Sequence, residues 1–185
     1  MKNYLLSLFS LSLLFFACPN DPEDEFPMEM DDYDPFDINI VTGIQLRDAN
    51  ASPIGAFGNP NISTEQSVAA FPNPAGDALF VQVFEQDRTV TNCWLFPATA
   101  DTTYVDVDYD SYLDGYTIAE IEDRTDLETF LPDAASFQLD LSGLATGYYR
   151  IFYDLDTGER RWDNLYIDPT ASDLNEVLEE IIGDW

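Results

Sequence analysis

A chain of 185 residues with 36 Asp and Glu, seven Lys and Arg, no His and a net charge of −29 turns an acidic surface to any partner. That excludes nucleic acid and electrostatic docking on anionic lipid, both of which need clustered cations. With 45% apolar and 14% aromatic residues, the length suffices for one well-filled core.

The first 18 residues carry an address. Leu5 to Ala17 form an apolar run behind a single charge, Lys2, too short to span a bilayer, and Cys18 marks the junction with Pro19-Asn-Asp-Pro-Glu-Asp-Glu25. The pattern predicts a lipoprotein signal over residues 1–17, cleaved ahead of Cys18, with acyl chains on Cys18 anchoring the protein to a membrane. An ordinary signal peptide with Cys18 incidental is the other reading, and Pro19 suits that cleavage poorly. Phe15 and Phe16 depart from the usual lipobox while Ala17 fits it. This relaxed pattern, followed by Asp21, Glu23, Asp24 and Glu25, resembles Bacteroidetes lipoproteins, whose surface-export signal is an acidic stretch just after the Cys. The resemblance implies an outer-membrane protein exposed at the cell surface. Cleavage would remove the only Lys, leaving six Arg against the 36 acidic residues, a net charge of −30.

Residues 18–37 are acidic and punctuated by Pro19, Pro22, Pro27 and Pro35, which predicts an extended, disordered tether. Phe26, Met28, Met30, Tyr33 and Phe36 within it are alternatively contacts for a partner. From residue 38 to 168 the pattern changes to short runs of period two bounded by Gly, Pro, Asn and Asp. Strands are predicted over 38–47, 68–71, 78–85, 90–96, 103–109, 116–122, 136–141, 148–154 and 161–167, with turns at Gly58-Asn-Pro-Asn61, Asp114-Gly115 and Thr157-Gly158. Many strands and few helices imply an all-β fold, an Ig-like antiparallel β-sandwich. Cys93 lies in an apolar strand, and once Cys18 is lipidated no intramolecular disulfide can form; a buried, inert thiol is expected. Arg160 and Arg161, in the last predicted hairpin, are expected to compensate local acids.

Two segments carry a second resemblance. Phe71-Pro-Asn-Pro-Ala75, leading into Asp77-Ala-Leu-Phe-Val81, and Phe137-Gln-Leu-Asp-Leu-Ser-Gly-Leu-Ala-Thr-Gly-Tyr-Tyr-Arg-Ile151 resemble, in that order, motifs of the C-terminal sorting domain of the Bacteroidetes type IX secretion system. The resemblance covers residues 68–168 and implies common fold ancestry. A sorting domain trails a cargo domain and ends in a basic strand, whereas here a lipid signal leads and Asp168 is followed by 17 more residues. The fold is therefore carried over, and the sorting role is not.

Those added residues, 169–185, predict a short amphipathic helix. Ser172 is placed to cap it, and Leu174, Val177, Leu178, Ile181 and Ile182 recur at helical spacing ahead of Trp185. So short a helix needs a surface to dock on: its own sandwich, or a groove on a partner.

Chemistry has few candidates. Asp106, Asp108, Asp110 and Asp114 are spaced like the start of a calcium loop, but Ser111 stands where the turn Gly belongs and Thr117 where the bidentate Glu belongs. Alternation with Val105, Val107 and Tyr109 also fits the solvated face of a half-buried strand. With no His, no Lys beyond Lys2 and no Gly-rich phosphate loop, neither an enzyme nor a small-molecule substrate is indicated, and calcium is the one cofactor in view. The expectation is a non-enzymatic, lipid-anchored surface module that binds an envelope protein. A small substrate or accessory of type IX secretion and a calcium-dependent adhesin stand as alternatives.

Overall fold

The computed structural model describes residues 37–64, 67–104, 107, 109, 115–124, 126–171 and 174–185, with only the backbone given for 174–176. In chain order the elements are β1 (Ile40–Val41), β2 (Gly43–Arg47), β3 (Pro53–Gly58), β4 (Val68–Phe71), β5 (Ala78–Val83), β6 (Val90–Pro97), β7 (Thr99–Ala100), a 3-10 turn (Thr102–Tyr104), α1 (Ile118–Glu122), β8 (Glu128–Phe130), β9 (Ser136–Asp140), β10 (Gly147–Leu155), β11 (Arg160–Ile167) and α2 (Leu174–Asp184).

The fold is all-β and sandwich-like. A four-stranded antiparallel sheet, β11-β10-β6-β8, faces a three-stranded antiparallel sheet, β4-β5-β9. Period-two alternation aims Val68, Ala70, Leu79, Val81 and Leu139 from the smaller sheet at Cys93, Leu95, Ile151, Tyr153 and Leu165 of the larger one. Burying each large aliphatic or aromatic side chain there contributes about 1.5–3 kcal/mol.

The larger sheet is covered on its second face too, so β10 and most of β11 are buried on both sides. Trp94, Phe96, Phe152 and Trp162 pack with Ile121 of α1, while Tyr148 and Tyr166 pack with Val41, Ile44, Val177 and Ile181. This third layer consists of α1, α2, the β2–β3 hairpin and the short parallel pair β1–β7.

Two predicted strands are corrected. The first was expected over 103–109, and its described start is a 3-10 turn; the Asp101 carboxylate accepts hydrogen bonds from the Thr103 N–H at 2.9 Å and the Thr103 hydroxyl at 2.7 Å, drawing the chain into a turn. The second, over 116–122, is the helix α1. Thr117 caps it, with the Glu120 N–H donating to the Thr117 hydroxyl at 3.3 Å and the Thr117 N–H donating to the Glu120 carboxylate at 2.6 Å. β3, β7 and β8 are additional to the expected strands.

α2 docks on its own domain. Val177 and Ile181 are buried, Leu178 and Trp185 are half-buried against the same cluster, and Ile182 is exposed. The intramolecular alternative thus describes the packing of Val177, Leu178, Ile181 and Trp185. Ser172 and the side chain of Leu174 lie outside the described residues.

Candidate functional site

Polar groups that the alternation gave no hint of fasten the β2–β3 hairpin to the sandwich. Arg47, at the end of β2, is 5% exposed, and its Nη1 donates to Oδ2 of the fully buried Asp163 on β11 at 2.6 Å. Nη2 donates to Gln45 Oε1 at 3.2 Å, and the Asn164 N–H donates to Asp163 Oδ1 at 2.9 Å. Burial raises the Asp163 carboxyl above its ordinary value, with the Arg47 guanidinium opposing the shift. Asn73 completes the joint: its side-chain amide donates to the carbonyls of Gln45 and Asn164, both at 2.8 Å, and its Oδ1 accepts from the Tyr166 N–H at 3.1 Å. Asn73 belongs to the Phe71-Pro-Asn-Pro segment, in which the Phe71–Pro72 and Asn73–Pro74 peptide bonds are both cis.

Fixed this way, the hairpin leaves a cleft of about 390 Å³ between itself and β4, lined by Gln45, Arg47, Pro53, Val68, Ala69 and Phe84 among others. Its walls are polar and apolar in near-equal measure, and the one cation in that lining is already matched by Asp163. Phe84 is 49% exposed at the cleft, and Ile54, next to Pro53, is 56% exposed. On the outer face of the smaller sheet, the part-exposed Phe80 stacks on Phe71 with ring centroids 6.0 Å apart.

β3 forms the rim. It pairs with β2 along one edge, and no described strand pairs with the other. Every residue of β3 except Phe57 is exposed. Reading the sequence missed this strand because Pro53, Gly55 and Gly58 look like loop residues. A usable signal was present: residues 49–64 carry no charged side chain, the longest such run after the N-terminal apolar segment.

The residues singled out from sequence fall elsewhere. Cys18, Asp21, Glu23, Asp24 and Glu25, and likewise Asp106, Asp108, Asp110 and Asp114, lie outside the described residues. Among the described residues no three of His, Cys, Asp and Glu come together as metal ligands. Cys93 is in the inter-sheet core, where burial pushes its thiol up and leaves it protonated. Arg160 grips Asp154 through Nε at 2.7 Å and Nη2 at 2.9 Å over the ring of Trp94, and Arg161 reaches Glu159 at 3.4 Å, so both compensate local acids. Arg150 is fully buried on β10 and donates to neutral acceptors: Asn164 Oδ1, the Tyr116 hydroxyl and the carbonyls of Ile38 and Asn61. It ties three loops to the sheet.

Compared with family models, curated proteins and solved structures, the chain matches none.

Proposed function

We propose that this chain is a non-enzymatic, lipid-anchored protein of the outer-membrane surface whose β-sandwich binds another envelope protein. The observation that carries the binding role is the exposure of Ile54, on a β3 edge that no described strand pairs with, and of Phe84 at the cleft, in a chain of net charge −29. The anchor rests on Cys18 behind its apolar run and on the acidic residues that follow it. The non-enzymatic reading is supported by the absence of His from the chain and by the burial of Cys93.

Pull-down of the native protein from detergent-solubilised membranes, with intact-mass analysis, tests this. A lipid-bearing mass beginning at Cys18 together with one stoichiometric envelope partner is the expected result. An unlipidated mass sinks the anchor, and recovery of the lipid-bearing protein alone sinks the interaction role. Trimming near Phe71 or at the C-terminus would favour the secretion-linked alternative, which rests on the two sorting-domain motifs.

A further inference from the structure

We infer that the partner completes β3 by strand addition. An extended segment of that protein, flanked by Lys or Arg, pairs with the open edge of Pro53–Gly58 and lays an apolar side chain into the cleft beside Phe84. This rests on the interaction reading above and gives it a place and a chemistry.

An unpaired edge presents a row of N–H and C=O groups that another chain can meet with main-chain hydrogen bonds. Soluble proteins ordinarily blunt such an edge with charge, above all Lys. β3 carries none, although 23% of the chain is charged. Its protection amounts to Pro53 at its first position and a register shift opposite Leu46 and Arg47, both at the end nearest the turn. Beyond that end, no described strand pairs with the free edge of β3, and Ile54, Gly55 and Ala56 in its middle are all exposed. The cleft of about 390 Å³ is large enough for a side-chain anchor, and such buried anchors dominate binding energy.

Charge selects the occupant. A second copy would bring −29 against −29, a repulsion that slows encounter and favours a partner of opposite sign. Asp48 adjoins Arg47, and Glu85 and Asp87 follow Phe84, so acids flank the lining residues in sequence while Arg47 is matched by Asp163. A basic extended segment meets both the edge and the field around it.

The test uses the lipidated full chain in detergent micelles and two synthetic peptides of alternating Thr and Val, one flanked by paired Lys and the other by paired Glu. Binding is read by fluorescence anisotropy, and amide exchange by mass spectrometry. The Lys-flanked peptide should bind at least about tenfold more tightly than its counterpart and should slow exchange over 53–58. Ile54→Lys should weaken that binding by at least about tenfold, whereas the exposed control Leu131→Lys should leave it unchanged, with both keeping the wild-type melting temperature. Equal binding of the two peptides, no slowing over 53–58, or indifference to Ile54→Lys would each overturn the inference, as would a dimer of the free chain that Ile54→Lys dissolves. In the membrane pull-down, a partner still captured by Ile54→Lys leaves the interaction role standing and removes this surface from it; no partner with either protein removes the role itself.

Discussion

The ring of Trp185 occupies the space that a side chain on Gly58 would fill. A Cβ built there runs into Cζ3 and Cε3 of the indole and into the Thr42 carbonyl, and Gly58 sits at φ +63°, where only Gly is at ease. Tyr148 holds the indole in place, accepting from Trp185 Nε1 at 3.0 Å while donating its hydroxyl proton to Asp184 at 3.1 Å. The end of α2 therefore fixes the end of β3, the strand proposed to meet a partner.

Gly58→Ala should cost about 2–3 kcal/mol, combining the strained φ with the loss of the Trp185 seat. Urea denaturation measures it. Adding Trp185→Ala should relieve the indole contact but neither the backbone strain nor the Thr42 clash, so the double variant should not regain wild-type stability. A loss below about 0.5 kcal/mol for Gly58→Ala would contradict the packing.

Arg47→Met should destabilise the domain by about 3–5 kcal/mol, because it leaves the Asp163 carboxylate buried without its partner. Converting Asp163 as well, in Arg47→Met with Asp163→Leu, should recover a large part of that loss in a denaturant midpoint. If the single variant were as stable as wild type, Asp163 would not be relying on Arg47.

Thr117→Ala removes the cap of α1 and should lower stability by about 1 kcal/mol. Hydrogen exchange should quicken over Ile118–Glu122 before it does in β10. Unchanged exchange there would mean that burial of Ile121, and not the cap, decides helix over strand.

Tyr148 gives a signature at high pH. Burial raises its phenol above the ordinary value of 10.0, with the Trp185 N–H opposing and the Asp184 charge adding to the shift. The folded state therefore keeps this proton longer than the unfolded state does. Its contribution is fully present below the unfolded value and is lost as pH climbs from there through the folded one. Tyr148→Phe should accordingly lose less stability than wild type between about pH 9.5 and about pH 11.5, measured by urea midpoints; parallel curves would refute the assignment.

What could be read from sequence was whatever follows a local period. Phe137, Leu139 and Leu141 alternate, as do Tyr149, Ile151 and Tyr153, and these segments became strands of the two sheets. Val177 and Ile181, one helical turn apart, became the buried face of α2. The same rule failed at Tyr116–Glu122, where Tyr116 and Ile118 fit period two and Ile118 and Ile121 fit the helical period until the Thr117 and Glu120 cap settles on helix. It failed again at β3, whose Gly and Pro residues resemble a loop and whose strand form depends on pairing with β2. Arg47 and Asp163 stand 116 positions apart, and no pattern along the chain connects them. The cleft inherits that blindness, since its position depends on the hairpin that this ion pair and Asn73 hold down.

Hydrogen exchange over Pro53–Gly58 in the native lipoprotein, alone and in the complex recovered from membranes, tests the central claim most directly. The account predicts fast exchange of these amides in the free protein and at least about tenfold slower exchange in the complex, with Ser136–Asp140 of β9 unchanged between the two. Slowing at β9 or elsewhere while Pro53–Gly58 stays fast would contradict it.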